Sequence, residues 1–85
     1  MNLIDGKIVW DTKGTHGLPL DMALQILAAK KLVPTWDRLF LAAKKDGANL
    51  AKLARELSFF VKEAYGAEFA AQFERRVPLL LTTLQ

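Results

Sequence analysis

One histidine, His16, and one serine, Ser58, are all that this chain offers toward serine-type nucleophilic chemistry. A Ser-His-Asp triad would need His16 to activate Ser58, with Asp11 or Asp21 behind the imidazole. The glycines of a nucleophile elbow are missing around Ser58, which sits inside the helix-like run Leu57 to Phe60. His16 lies between Asp11 and Asp21, and imidazole with carboxylates is an ordinary metal-ligand set; a loop histidine making local hydrogen bonds accounts for the same residues. Carboxylates that could pair for acid/base work, Asp5, Asp11 and Asp21 or Glu63 and Glu68, need a shared pocket that sequence does not supply. Gly14-Thr15-His16-Gly17 precedes a helix and resembles an anion-binding turn, but it lacks both the Lys-Ser/Thr ending of a P-loop and the G-x-G-x-x-G spacing. The absence of cysteine removes disulfides, thiolate metal sites and thiol nucleophiles, and agrees with a reducing compartment. The reading is therefore non-enzymatic, with no catalytic residue, metal or cofactor assigned. A small-ligand or enzyme site near His16, Asp11 and Asp21 is the third alternative.

The elements that would position these groups follow from pattern. Asp5-Gly6 between two short apolar stretches predicts a two-residue β-hairpin over residues 2–10, with Ile4, Ile8 and Trp10 turned inward. Residues 11–18 read as a turn-rich connector, and Pro19 opens a helix to about Lys31. Pro34 excludes the helical conformation at Val33, and Thr35 caps a second helix that presents Trp36, Leu39, Phe40 and Ala43 on one face and ends near Asp46 before Gly47. Asn49 caps a third helix to Tyr65, whose Leu50, Leu53, Leu57, Phe60 and Ala64 give the clearest helical period in the chain. Gly66 ends or bends it. A last helix, about Ala67 to Arg76, carries Phe69, Phe73 and Val77 before Pro78 breaks the hydrogen-bond ladder; the tail beyond either packs back or adds one more turn. No repeat of 20 to 50 residues is visible at this level. The expectation is mostly α: a compact three- or four-helix domain with a short N-terminal β-hairpin, spanning residues 1–85 as one unit.

Composition bounds the setting. With 52% apolar and 25% charged residues, the 85-residue chain lies far from disorder. Asp5, Gly6 and Lys7 interrupt the N-terminal apolar residues before a signal-peptide core forms, and no apolar run approaches the roughly 20 residues that span a bilayer. A cytoplasmic protein is expected, with no membrane partner. The net charge of +3 is uneven: residues 1–45 hold seven Lys/Arg and four Asp/Glu, residues 46–85 five of each. This supports an alternative reading as an RNA- or DNA-binding module through Lys30, Lys31, Lys44 and Lys45, with Trp36 free to stack on a base. The second and third helices match a helix-turn-helix poorly, because Ser58-Phe59-Phe60 offers neither the glycine turn nor a base-reading set.

Asp11-Thr12 and Gly17-Leu18-Pro19-Leu20-Asp21, with Phe40 downstream, make residues 8–43 resemble the D-T-x-G-F-P-L-D segment of alanyl-tRNA synthetases. Lys13 to His16 stand where that family has a single residue. The family's ATP-binding arginine motifs and editing histidines have no counterpart, so the resemblance implies a detached helical piece with an RNA-facing history and no aminoacylation. The leading reading rests instead on surplus apolar residues: a small bacterial- or phage-type interaction protein that offers helical surface to itself or to another protein. The candidate contacts are Trp36, Phe69, Phe73, Leu79, Leu80 and Leu81.

Overall fold

Asp5-Gly6 does not make a turn. The Asp5 side chain accepts a hydrogen bond from the Lys7 backbone N–H at 2.9 Å, so Asp5 is an N-cap and a helix follows directly. The structure, a computed structural model, describes residues 1–84. Their order is β1 (Asn2–Ile4), α1 (Gly6–Thr15), α2 (Leu20–Ala29), β2 (Leu32–Pro34), α3 (Trp36–Lys45), α4 (Leu50–Tyr65) and α5 (Ala67–Leu84). The mostly helical expectation holds, with five helices among the described residues rather than three or four. The hairpin is replaced by a parallel pair: Asn2, Leu3 and Ile4 lie opposite Leu32, Val33 and Pro34. Of the residues expected to turn inward from a hairpin, Trp10 is buried, Ile4 is half-buried and Ile8 is 55% exposed.

A constant offset of 30 residues relates the two strands, the caps Asp5 and Thr35, the helices α1 and α3, and the starts of α2 and α4. The chain is therefore built of two β-α-α layers, with α1 packed on α3, α2 on α4 and β1 on β2. Stacking like on like through equivalent elements is how repeat proteins bury faces that no single unit can bury alone. Five apolar pairs at this offset are buried in both layers: Val9/Leu39, Trp10/Phe40, Ala23/Leu53, Leu24/Ala54 and Leu27/Leu57. The exchange of Ala23-Leu24 for Leu53-Ala54 keeps the summed volume while swapping which position carries it, as close packing requires. Gly17 and Gly47, 30 apart, both adopt positive φ (63° and 79°) and make the same sharp exit from α1 and α3.

The layers meet most closely at Gly6. A Cβ there would stand 2.1 Å from the Thr35 carbonyl oxygen and 2.6 Å from the Leu39 nitrogen. Only hydrogen fits, and the Gly6 N–H donates to Thr35 Oγ1 at 2.9 Å. Thr35 consequently starts α3 without capping it through its own hydroxyl. Midway along α1, Trp10 Nε1 donates to Asp46 Oδ2, at the C-cap of α3, at 2.6 Å.

The second layer differs from the first where the third would begin. α2 stops at Ala29 and the chain turns into β2 through Lys31, at φ 59°, whereas α4 continues to Tyr65. Tyr65 OH then donates to the Leu32 carbonyl at 2.6 Å, and Pro34 has no N–H to offer, so the outer edge of β2 is closed. Burial raises the Tyr65 pKa to about 12. A folded pKa above the unfolded value of about 10 means that this contribution to stability is complete below pH 10 and fades as pH rises toward 12. Tyr65→Phe is expected to cost about 1 kcal/mol at pH 7 and to remove that alkaline loss, read by urea unfolding at pH 7 and pH 11.

α5 closes the far end of the stack. It turns back along α4, and Phe73 meets Trp36 edge-on with ring centroids 4.8 Å apart and stacks on Phe40 at 6.5 Å. The expected break at Pro78 does not occur; the helix runs through it to Leu84. Proline leaves the Glu74 carbonyl without its helical donor, but Val77, Leu80, Leu81 and Leu84 pack against the core on both sides of it, and that burial offsets one lost bond. No helix among the described residues is long and apolar enough to cross a membrane.

Candidate functional site

The His16 neighbourhood does not converge on a site. His16 is the exposed C-cap of α1, and its backbone N–H donates to Thr12. Asp11 is held by Lys7 at 2.7 Å on the exposed side of α1, and this bond raises the Lys7 pKa. Asp21 lines a different hollow of about 340 Å3 between the starts of α2 and α4, beside Lys13, Lys52 and Glu56. Ser58 donates to Glu74 on α5. Among the described residues no group of three His, Asp or Glu stands close enough to share a metal. The Asp11-Thr12 and Gly17 to Asp21 stretches that resemble the synthetase segment straddle the α1–α2 turn, whose Leu18 N–H donates to the Thr12 carbonyl at 3.3 Å.

The four lysines separate into two pairs. Lys30 and Lys31 follow α2 at the strand end, where the Lys31 carbonyl accepts from Asn2. Lys44 and Lys45 close α3 at the opposite end, where Lys44 Nζ reaches the Leu84 carbonyl. The ten residues of α3 put about 15 Å between the pairs, so they do not form one basic patch. Trp36, 3% exposed, is part of the core.

The apolar candidates divide in the same way. Phe73 is 1% exposed and, like Trp36, faces inward. Phe69 is half-buried and stacked on Tyr65 with centroids 4.8 Å apart, and Leu80 and Leu81 pack against the core. Only Leu79 projects freely, at 72% exposure.

A different apolar surface emerges from the layering. Of seven exposed large hydrophobic residues, Met1, Leu3, Ile8, Met22 and Ile26 belong to the first layer or immediately precede it; Phe59 and Leu79 do not. Gly6, Lys7 and Trp10 mark the side of α1 that meets α3, and helical phasing puts Ile8 on the flank away from it. Asp21 marks the α4 side of α2, and the same phasing places Met22 and Ile26 on the far flank. Asn2 donates to Lys31 and Ile4 accepts from Thr35, so alternation along the parallel ladder turns the Leu3 N–H and carbonyl to the outer edge of β1. Thus one open end of the stack gathers the free edge of β1 with Ile8, Met22 and Ile26 and the exposed Lys30 one turn beyond Ile26, while the Leu3 side chain lines a hollow with Phe69, Phe73 and Arg76 of α5. The 30-residue offset makes the contrast plain: Arg38, Lys52 and Glu56 occupy the positions of Ile8, Met22 and Ile26 in the second layer. There Arg38 grips Asp5 through two bonds of 3.2 and 3.3 Å and holds the Asp5 pKa below the usual carboxylate range, helped by the Lys7 N–H.

Nothing in the residue types alone singles out this surface, because Ile8 fits the inward side of a hairpin and Met22 and Ile26 are two among many apolar residues between Leu20 and Ala29. The signal that could have found it is the offset comparison, which pairs each of the three with a charged residue. No known protein family, curated protein or solved structure matches the chain.

Proposed function

We propose that this is a non-enzymatic interaction protein that acts through the open end of its layered stack. The observation that carries this reading is the exposure of Ile8, Met22 and Ile26 at positions that carry Arg38, Lys52 and Glu56 along the internal seam. Contiguous apolar surface at one place, and scattered apolar side chains elsewhere, is the pattern of an interaction face. It differs from the face expected from the C-terminal residues, since Trp36 and Phe73 lie inside and Leu79 stands alone.

Placing a photo-crosslinking amino acid at Ile26 or at Leu79 in the native host tests the two locations against each other. Covalent protein adducts from position 26 and none from position 79 are the expected outcome. Adducts from position 79 alone, or from neither, would remove the open end from consideration.

A further inference from the structure

Resting on that reading, we infer that the open end holds its partner by strand addition: an extended peptide segment of another protein docks along the free edge of β1 as a third, parallel strand. The offset of 30 residues identifies the groups that receive it. β2 holds β1 through the Lys31 carbonyl, which accepts from Asn2 at 3.1 Å, through the Thr35 N–H, which donates to Ile4 at 2.9 Å, and, by the parallel pattern, through the N–H and carbonyl of Val33 between them. Their equivalents one layer earlier are the Met1 carbonyl, the Leu3 N–H and carbonyl, and the Asp5 N–H. Among the described residues none of these four groups is hydrogen-bonded, and Met1 and Leu3 are exposed.

A row of unpaired N–H and C=O groups along a strand edge is matched by another extended backbone, which presents donors and acceptors at the same repeat. The fold closes one edge of its sheet against such a contact and leaves the other open. At the outer edge of β2, Pro34 has no N–H and the Tyr65 hydroxyl occupies the Leu32 carbonyl, whereas β1 contains no proline and its outer groups receive no side-chain bond. The same closure stops a second copy of this chain from supplying the strand in the parallel sense, because its β2 has no edge to give. In this register the peptide residue opposite Leu3 lies on the Leu3 side of the sheet, beside the hollow of about 330 Å3 that Leu3 and Phe69 line, which favours an apolar residue there.

Peptides selected on the full chain from a random library of linear segments of about ten residues, the upper length of a strand, supply the probe. Leu3→Pro removes the outward N–H while sparing the bonds that Asn2 and Ile4 make to β2, and is expected to weaken peptide binding at least about tenfold. Leu3→Val keeps that N–H and installs the residue found at position 33, and is expected to stay within about threefold of the native chain. Bound peptide should also slow exchange of the Leu3 and Asp5 amides in the native chain. That measurement needs no variant, should circular dichroism melting show that Leu3→Pro fails to fold.

A library that yields no binder tighter than about 1 mM overturns the inference, as do peptides that bind Leu3→Pro as tightly as the native chain or leave the Leu3 and Asp5 amides unprotected. The crosslinking result separates this failure from failure of the broader reading. Adducts from position 26 that survive Leu3→Pro, or that contain two copies of this chain, discard the added strand and keep the face; no adduct discards both.

Discussion

Gly6→Ala is expected to destabilise the fold by at least about 3 kcal/mol, which for a chain this short lowers the melting temperature by on the order of 10–20 °C. The added methyl would meet the Thr35 carbonyl oxygen at 2.1 Å, the Leu39 nitrogen at 2.6 Å and the Leu39 Cβ at 2.8 Å. None of these is the far end of a flexible side chain that could step aside. To admit the methyl, α1 must move off α3, and the bond from the Gly6 N–H to Thr35 Oγ1 goes with it. Gly14→Ala is the control within the same helix: nothing lies within 4 Å of its added Cβ. Replacing an unconstrained helical glycine by alanine should raise stability by about 0.5–1 kcal/mol. Thermal melts of the two variants should therefore move in opposite directions, and equal losses would mean that the layers are not in contact at Gly6.

Phe73→Ala should cost about 3–5 kcal/mol, the range for emptying a fully buried aromatic site. Phe73 is 1% exposed and is the residue through which α5 reaches both Trp36 and Phe40. Its loss opens a void beside the Trp36 and Phe40 rings at the closed end of the stack, so amides of α5 should exchange faster than those of α1 and α3. Leu79→Ala on the same helix, at 72% exposure, should stay within about 0.5 kcal/mol of the native protein. Urea unfolding of the pair decides between a core role and a surface role for Phe73. If Phe73→Ala left stability intact, α5 would not be packed on α3 as described.

What the sequence made legible was local. The caps at Thr35 and Asn49, the exits at Gly47 and Gly66, and the period from Leu50 to Ala64 all correspond to α3 and α4 within a residue or two. α1 was hidden because Ile8, Val9, Trp10, Thr12 and Thr15 are β-formers by propensity, and tertiary packing overrode it. An Asp-Gly pair serves a hairpin turn and a helix start equally well, and only contact with Thr35, distant in sequence, decides between them. The pairing of β1 with β2 is likewise non-local. The length of α5 is obscured for the opposite reason: the stripe of Phe69, Phe73 and Val77 continues through Leu80, Leu81 and Leu84, but Pro78 is a local breaker while the burial that retains it is a property of the whole fold.

The layers themselves are not legible in the sequence because an offset of 30 leaves only Gly17/Gly47, Leu20/Leu50 and Leu27/Leu57 identical between them. What the two layers share is burial, and burial is indifferent to which of Ala23 and Leu24 is large. The candidate surface inherits that difficulty. Trp36 and Phe73 are the kind of large residue that draws attention in a sequence, yet size favours the core, whereas Ile8, Met22 and Ile26 stand out only against their charged counterparts. The lysine pairs do not form one patch for a topological reason, since Lys30 and Lys31 precede β2 and Lys44 and Lys45 end α3, with the whole length of α3 between them.

The hydroxyl of Thr35 accepts the Gly6 N–H across the seam between layers. That one proton is consequently a gauge of the gap: it exchanges with solvent only when the first layer lifts from the second. Glycine amides occupy their own region of a nitrogen-proton spectrum, and with five glycines in the chain the Gly6 signal of a nitrogen-15-labelled sample is readily assigned and followed. Its exchange rate would report how often the molecule parts along its own repeat.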